Sequence, residues 1–277
     1  MRIISPRNGE RYLISAEPEW PSIAFEADAA STQPKLTWTW SLQWKGFSKS
    51  GVDVTTTNTW DAREVTVNRG GTLTVSVQGT TASAPVTVHI QGSQPREESI
   101  HQYLISKPCG LGFEKILKHE THCMHFDRNG EPQRSFDNGY GMAQLTTPPP
   151  TYEQAWNWKL NIDGALELFD AKRRAAVAYL GQEGRAYTEG QLMREAVCRW
   201  NGGAYHVWDA HKGWARNPHV LCDSLTGNIG WDSTHPSNAA KTEAQLHERD
   251  RKQFNRPPPA DACWRYFGVC YADRILA

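Results

Sequence analysis

Near the start of the chain, residues 35–44 alternate without a break. Leu36, Trp38, Trp40, Leu42 and Trp44 fall on one side, and Thr37, Thr39, Ser41 and Gln43 on the other. A period of two sustained over this length fits a strand and excludes a helix. Further runs rich in β-branched and apolar residues lie at 23–27, 64–67, 72–77 and 86–90. Arg69-Gly70-Gly71, between two of these runs, reads as a hairpin turn.

Short strands separated by turns, with no helical periodicity among them, predict an all-β sandwich of immunoglobulin-like kind over residues 1–92. The tryptophan stripe has two uses: stacking on sugar rings, or filling the inner face of the sandwich. Leu36 and Leu42 share the stripe, which favours the core. No catalytic constellation occurs here, so this part reads as a spacer or adaptor. Residues 91–99 are polar and contain Gly92 and Pro95, which marks a linker. The expected organisation is a sandwich at 1–92, a linker at 93–100 and a second, mainly α domain at 101–277.

The two parts differ in chemistry. All six cysteines and nine of the ten histidines follow residue 100, and only His89 precedes it. Charge, by contrast, is even: the 277 residues carry 30 Lys+Arg against 30 Asp+Glu. A neutral chain lacks the Lys/Arg surplus that a nucleic-acid groove or polybasic membrane anchor requires. No apolar run reaches the roughly 20 residues of a spanning helix, so no stable membrane insertion is expected. The first residues also lack the basic start and apolar stretch of a signal peptide.

From about residue 100 the period becomes helical. In residues 111–124, Phe113, Ile116, Leu117, Glu120, Cys123 and Met124 recur at steps of three and four and share one face. A glutamate on an apolar stripe has its carboxyl group desolvated, which raises its pKa and suits it to general-acid work on a glycosidic bond. The plainer reading is a Glu at the edge of the stripe, paired with Lys or Arg. Downstream come Asp137-Asn138-Gly139-Tyr140-Gly141-Met142-Ala143-Gln144, a second helical stretch from Asn161 to about Leu180, and a third over 191–200 that ends at Asn201-Gly202-Gly203.

The order of these pieces resembles the lysozyme-like superfamily of goose-type lysozymes and soluble lytic transglycosylases. The resemblance is carried by Glu120-Thr121, then Gly141-Met142-Ala143-Gln144, then Asn161-Ile162-Asp163-Gly164, then Trp200-Asn201-Gly202-Gly203, and covers about residues 105–210. It implies a lysozyme-like catalytic domain that cleaves the peptidoglycan glycan strand between N-acetylmuramic acid and N-acetylglucosamine. Glu120 would be the catalytic acid. Gln144 and the Tyr140-Gly141-Met142 backbone would line the sugar groove, with Trp200 and Asn201 also at the substrate. Trp200 stands where the family has Tyr, so any role of that hydroxyl is lost.

A hydrolase needs a second carboxylate to position water, whereas a lytic transglycosylase uses one Glu as acid and then base. Asp127, Glu131 and Asp137 are the candidates, and Asp137 is preferred because it directly precedes the groove loop. Goose-type enzymes carry their Asp two positions earlier, where this chain has Ser135. Asp137 also suits a turn. Hydrolysis is preferred over lytic transfer.

His119, His122, Cys123 and His125 surround Glu120 and form an alternative ligand set for a structural zinc. Their spacing departs from the metalloprotease pattern of two histidines four apart. No cofactor is otherwise expected. If the cysteines pair, Cys123 with Cys198 would join the Glu120 helix to the Asn201 helix. Trp208, Trp214 and Trp231 either extend the groove or cover the core, and 241–256 reads as a solvated helix.

The expected partner is the glycan strand, with a delivery machinery or an immunity protein besides, and no nucleic acid. Action is expected in the periplasm or cell wall, reached through phage or secretion machinery or as part of a larger protein. Two other readings stay open: a non-catalytic wall-binding or structural component of a phage tail or secretion device, and a zinc-dependent wall peptidase.

Overall fold

The structure is a computed structural model that describes residues 1–29, 35–136, 138–254 and 257–277. In chain order the elements are β1 (Ile3–Ser5), β2 (Glu10–Ile14), β3 (Ala24–Ala27), β4 (Leu36–Trp44), β5 (Phe47–Thr55), β6 (Thr59–Asp61), α1 (Arg63–Thr66), β7 (Gly71–Gln78), β8 (Val86–Gly92), α2 (Glu97–Ile105) and α3 (Gly110–Thr121). There follow α4 (Tyr152–Trp156), α5 (Trp158–Leu180), α6 (Glu189–Asn201), β9 (His206–Asp209), β10 (Gly213–Arg216), β11 (Val220–Cys222), β12 (Ile229–Asp232), α7 (Glu243–Asp250), β13 (Trp264–Tyr266) and α8 (Gly268–Ile275).

The expectation of an all-β sandwich followed by a mainly α domain is overturned. Among the described residues the chain is a mixed α/β protein with four separate small sheets and eight helices. Five of its thirteen strands, β9 to β13, lie after residue 200. Each is three or four residues long, too short to show a period. The run at 64–67 is not a strand either: Arg63–Thr66 is a single helical turn, α1, begun where Asp61 accepts the Arg63 N–H at 2.9 Å. Arg69-Gly70-Gly71 therefore joins a helix to β7 and is not a hairpin.

The chain divides into two compact units. The first comprises Met1–Pro108 with Glu120–Ala165, and the second Cys109–His119 with Leu166–Ala277. The division falls inside α3 and inside α5.

In the first unit the alternating segment forms β4, with β5 and β7 antiparallel on either side, in a five-stranded sheet ordered β2-β8-β7-β4-β5. Its β2–β8 pair is parallel. A three-stranded sheet, β1-β3-β6, completes the strands of this unit. Leu36, Trp38, Leu42 and Trp44 are buried, as the period demands, while Trp40 is half-buried. The core continues through Phe126, Tyr140, Tyr152 and Trp156. Trp44 meets the edges of Tyr140 at 5.7 Å and Trp156 at 5.3 Å. At roughly 25 cal/mol per Å² of apolar surface, such large rings are the main source of cohesion.

Gln94 ties the segment after α3 into this unit. Its side-chain oxygen accepts the N–H groups of His125 and Phe126 at 2.9 and 3.1 Å, and its amide donates to the Cys123 carbonyl at 2.8 Å. Beside it, Gly92 lies against the Phe126 ring so closely that a Cβ would come within 2.2 Å.

In the second unit β9 pairs with β10, and β11-β12-β13 form a separate sheet. Trp231, Leu246 and Trp264 are fully buried together, with the Trp231 indole donating to Asp250 at 2.8 Å. Helix α8 packs on α6 at Gly268, where a Cβ would fall 2.2 Å from the Cys198 carbonyl oxygen. A disulfide joins Cys222 to Cys270 across 48 residues, linking β11 to α8. The expected Cys123–Cys198 bond does not form. Cys123 follows the end of α3 with φ 58°, and Cys198 is buried on α6 beneath Gly268, its thiol pushed up to about 12 by burial and then by the Glu195 charge.

Candidate functional site

Glu120 is the penultimate residue of α3 and is half-buried. The next residue, Thr121, donates its hydroxyl to the Met142 carbonyl at 2.8 Å, which fastens the end of the helix to the 140–144 loop. His122 and Cys123, with φ of 54° and 58°, then turn the chain sharply away from the helix.

Two further side chains hold the loop. Asn161, fully buried near the start of α5, accepts the Ala143 N–H at 3.0 Å and donates to the Tyr140 carbonyl at 3.0 Å. His125, also fully buried, accepts the Met142 N–H at Nδ1 at 3.2 Å. Accepting there places the proton of the neutral ring on Nε2. Burial pushes the His125 pKa down to about 3, against a smaller raising effect from the Ala155 backbone.

Gly141 sits in the middle of this clamp with φ +72°. A Cβ on it would lie 2.6 Å from Asn161 Nδ2 and 2.7 Å from His125 Cε1. Both the backbone conformation and the space require glycine. Gln144 is half-buried, with its side-chain amide donating to the Gly141 carbonyl at 2.6 Å.

The residues expected at the substrate thus divide. Gly141, Met142 and Gln144 belong to one hydrogen-bonded loop, to which Thr121, the neighbour of Glu120, is bonded, and in which the buried Met142 side chain serves the core and its backbone the clamp. The Tyr140 ring packs against Trp44 and Phe47, so only its backbone belongs to the loop. Trp200 and Asn201 end α6 in the second unit. There Trp200 meets the Phe113 ring edge-on at 5.1 Å, and Asn201 is exposed.

The turn after Asn201 is shaped by Glu195, which is fully buried on α6. One carboxylate oxygen accepts the N–H groups of Tyr205 and His206 and contacts His206 Nδ1, each at 3.0 Å, and the other faces Arg199 at 2.9 Å.

Of the three candidates for a second carboxylate, Asp127 accepts the N–H groups of Asn129 and Glu131 at 2.8 and 3.0 Å in a turn. Glu131 pairs with Lys45 at 2.6 Å. Asp137 lies outside the described residues. Among the described residues no group of three or more His, Cys, Asp or Glu side chains is placed to hold a metal ion. Within the proposed zinc set, His125 holds the loop as described, and His119 packs edge-on against Tyr271 at 5.2 Å.

No protein-family model, curated protein or solved structure matches this chain.

His125 and Asn161 hold the loop without any expectation that they would. Asn161 had a signal in Asn-Ile-x-x-Gly. His125 had none beyond its place in a histidine-rich run.

Proposed function

We propose that the chain cleaves the glycan strand of peptidoglycan, with Glu120 as the general acid. One observation carries the reading: the helix end that bears Glu120 is bonded through Thr121 to the Gly141–Gln144 loop, which is itself clamped by His125 and Asn161. A glycosidase needs its acid held at a fixed place beside the groups that position the sugar. Here the motif pieces adjacent to Glu120 are joined by hydrogen bonds into one such support. In this reading Gln144 and the loop backbone receive the sugar.

Asp127 and Glu131 are engaged elsewhere, which leaves Asp137 among the sequence candidates to direct water in a hydrolytic route. Asn201 is assigned to the substrate by the same resemblance. The Cys222–Cys270 disulfide fits action in an oxidising compartment such as the periplasm. No helix among the described residues is long and apolar enough to cross a membrane.

The test is the release of muropeptides from purified sacculi by the full chain and by Glu120→Gln. Soluble products from the wild type and a loss of at least a hundredfold in the variant are expected. Undiminished release by Glu120→Gln would exclude the assignment. Reducing ends in the products, lost in Asp137→Asn, mark hydrolysis; anhydro-muramyl ends mark lytic transfer by Glu120 alone.

A further inference from the structure

The tryptophan stripe of β4 is not uniform. Trp38 and Trp44 are buried, but Trp40 is half-buried and forms a wall of a cleft of about 430 Å³ between β4–β5 and the β6–α1 connection. That volume lies within the range of about 300–1,000 Å³ common for small-ligand sites.

The indole is held flat by its neighbours. Trp40 pairs with Gly51 in the β4–β5 register, and a Cβ on Gly51 would lie 2.6 Å from Trp40 Cζ2. The ring therefore lies down over the glycine rather than standing off the sheet. Its Nε1–H donates to Asp53 at 2.9 Å, which fixes its rotation. Trp38 makes the parallel bond to Thr55 at 2.9 Å, one step along the same strand, and stacks against Trp60 at 6.1 Å. The cleft is thus lined by the Trp40 indole, held against the sheet, and by Trp60.

Around this plane stand planar groups of both signs. Asp53 retains capacity beyond the Trp40 bond. Asp61 accepts the Arg63 N–H at 2.9 Å and, with two lone pairs on each oxygen, can accept more. Glu64 is exposed on α1. Arg69 lines the cleft too, but is tied to Glu153 at 2.6 and 2.7 Å and to the Val65 carbonyl at 2.9 Å.

The wall thus offers many acceptors, few uncommitted donors and the indoles of Trp40 and Trp60. A ligand that fits must bring donors and present an apolar face of ring size. An uncharged sugar does both, because its hydroxyls donate to the carboxylates while its C–H face stacks on the indole. Three carboxylates disfavour an acidic sugar.

We propose that the cleft bounded by Trp40, Trp60, Asp53, Asp61, Glu64 and Arg69 is a binding site for uncharged oligosaccharide. The site uses none of the groups assigned to cleavage, so its existence is separable from the role of Glu120.

Calorimetric titration of the full chain with chitotriose, cellotriose and maltotriose tests it. At least one of the three is expected to bind, with affinity at least tenfold weaker in Asp61→Asn/Glu64→Gln and in Trp40→Ala. The double variant alters only exposed carboxylates, so it reports even where Trp40→Ala fails to fold. Absence of binding by all three sugars overturns the proposal. So does binding that survives the double variant, or binding of a lysine-rich peptide in place of sugar.

Discussion

The hydroxyl of Thr121 donates to the carbonyl oxygen of Met142 at 2.8 Å, across 21 residues of chain. This bond makes the position of Glu120 depend on the 140–144 loop. A helix end frays unless its last turn is tied down, and here a side chain one residue beyond the carboxylate does the tying.

Thr121→Val keeps the shape of the side chain and removes the donor. A neutral hydrogen bond of this kind contributes about 1 kcal/mol, so chemical denaturation should show a loss of that order. Release of muropeptides should fall by roughly tenfold or more, since small displacements of an acid are costly in rate. A variant as active as wild type would show that the tie does not position Glu120.

Gly141→Ala places a methyl group against Asn161 and His125 at a backbone angle of φ +72°. Overpacking combined with a left-handed conformation should cost roughly 2–4 kcal/mol. Urea denaturation measures this directly. Gly9, at φ +82° with nothing within 4 Å of its Cβ position, serves as the comparison, and Gly9→Ala should cost markedly less.

His125 predicts an acid limb in stability. Its pKa is near 3 in the folded protein and about 6.5 when exposed. Between these values the unfolded chain binds a proton that the folded one refuses. Stability is therefore fully present above about pH 6.5 and falls as pH drops towards 3, by about 1.4 kcal/mol per pH unit. Denaturation at a series of pH values should show this slope, and His125→Asn should lack that one-proton component.

Reduction of Cys222–Cys270 frees a 48-residue loop in the second unit. Closing a loop of this size is worth on the order of 2–4 kcal/mol. Thermal melts with and without dithiothreitol should separate accordingly, and Cys222→Ser/Cys270→Ser should melt at the reduced temperature under either condition.

What could be read from the sequence was set by range. β4 was legible because nine alternating residues leave one interpretation. α1 was not: Val65, Thr66 and Val67 favour a strand, but Asp61 and Ala62 accept the first N–H groups of a helical turn and override that preference. The apolar stripe singles out Glu120, which is half-buried, yet Glu195 lies deeper, fully buried and engaged with Arg199 and His206. Period locates a carboxylate on a face without revealing what meets it there. The His125 and Asn161 clamp depends on contacts between segments 17 to 21 residues apart, and no local pattern encodes those.

Gln94 acts as a surrogate peptide group, accepting twice and donating once as a neighbouring strand would. The chain after β8 is accordingly a template on which residues 123–126 are laid, rather than a tether. Glutamate in its place would keep the acceptor and lose the donor. Exchange of residues 93–100 for an arbitrary spacer would leave the His125 segment without its partner. A cut at residues 93–100 would therefore fall within the first compact unit, between Gln94 and the segment it holds.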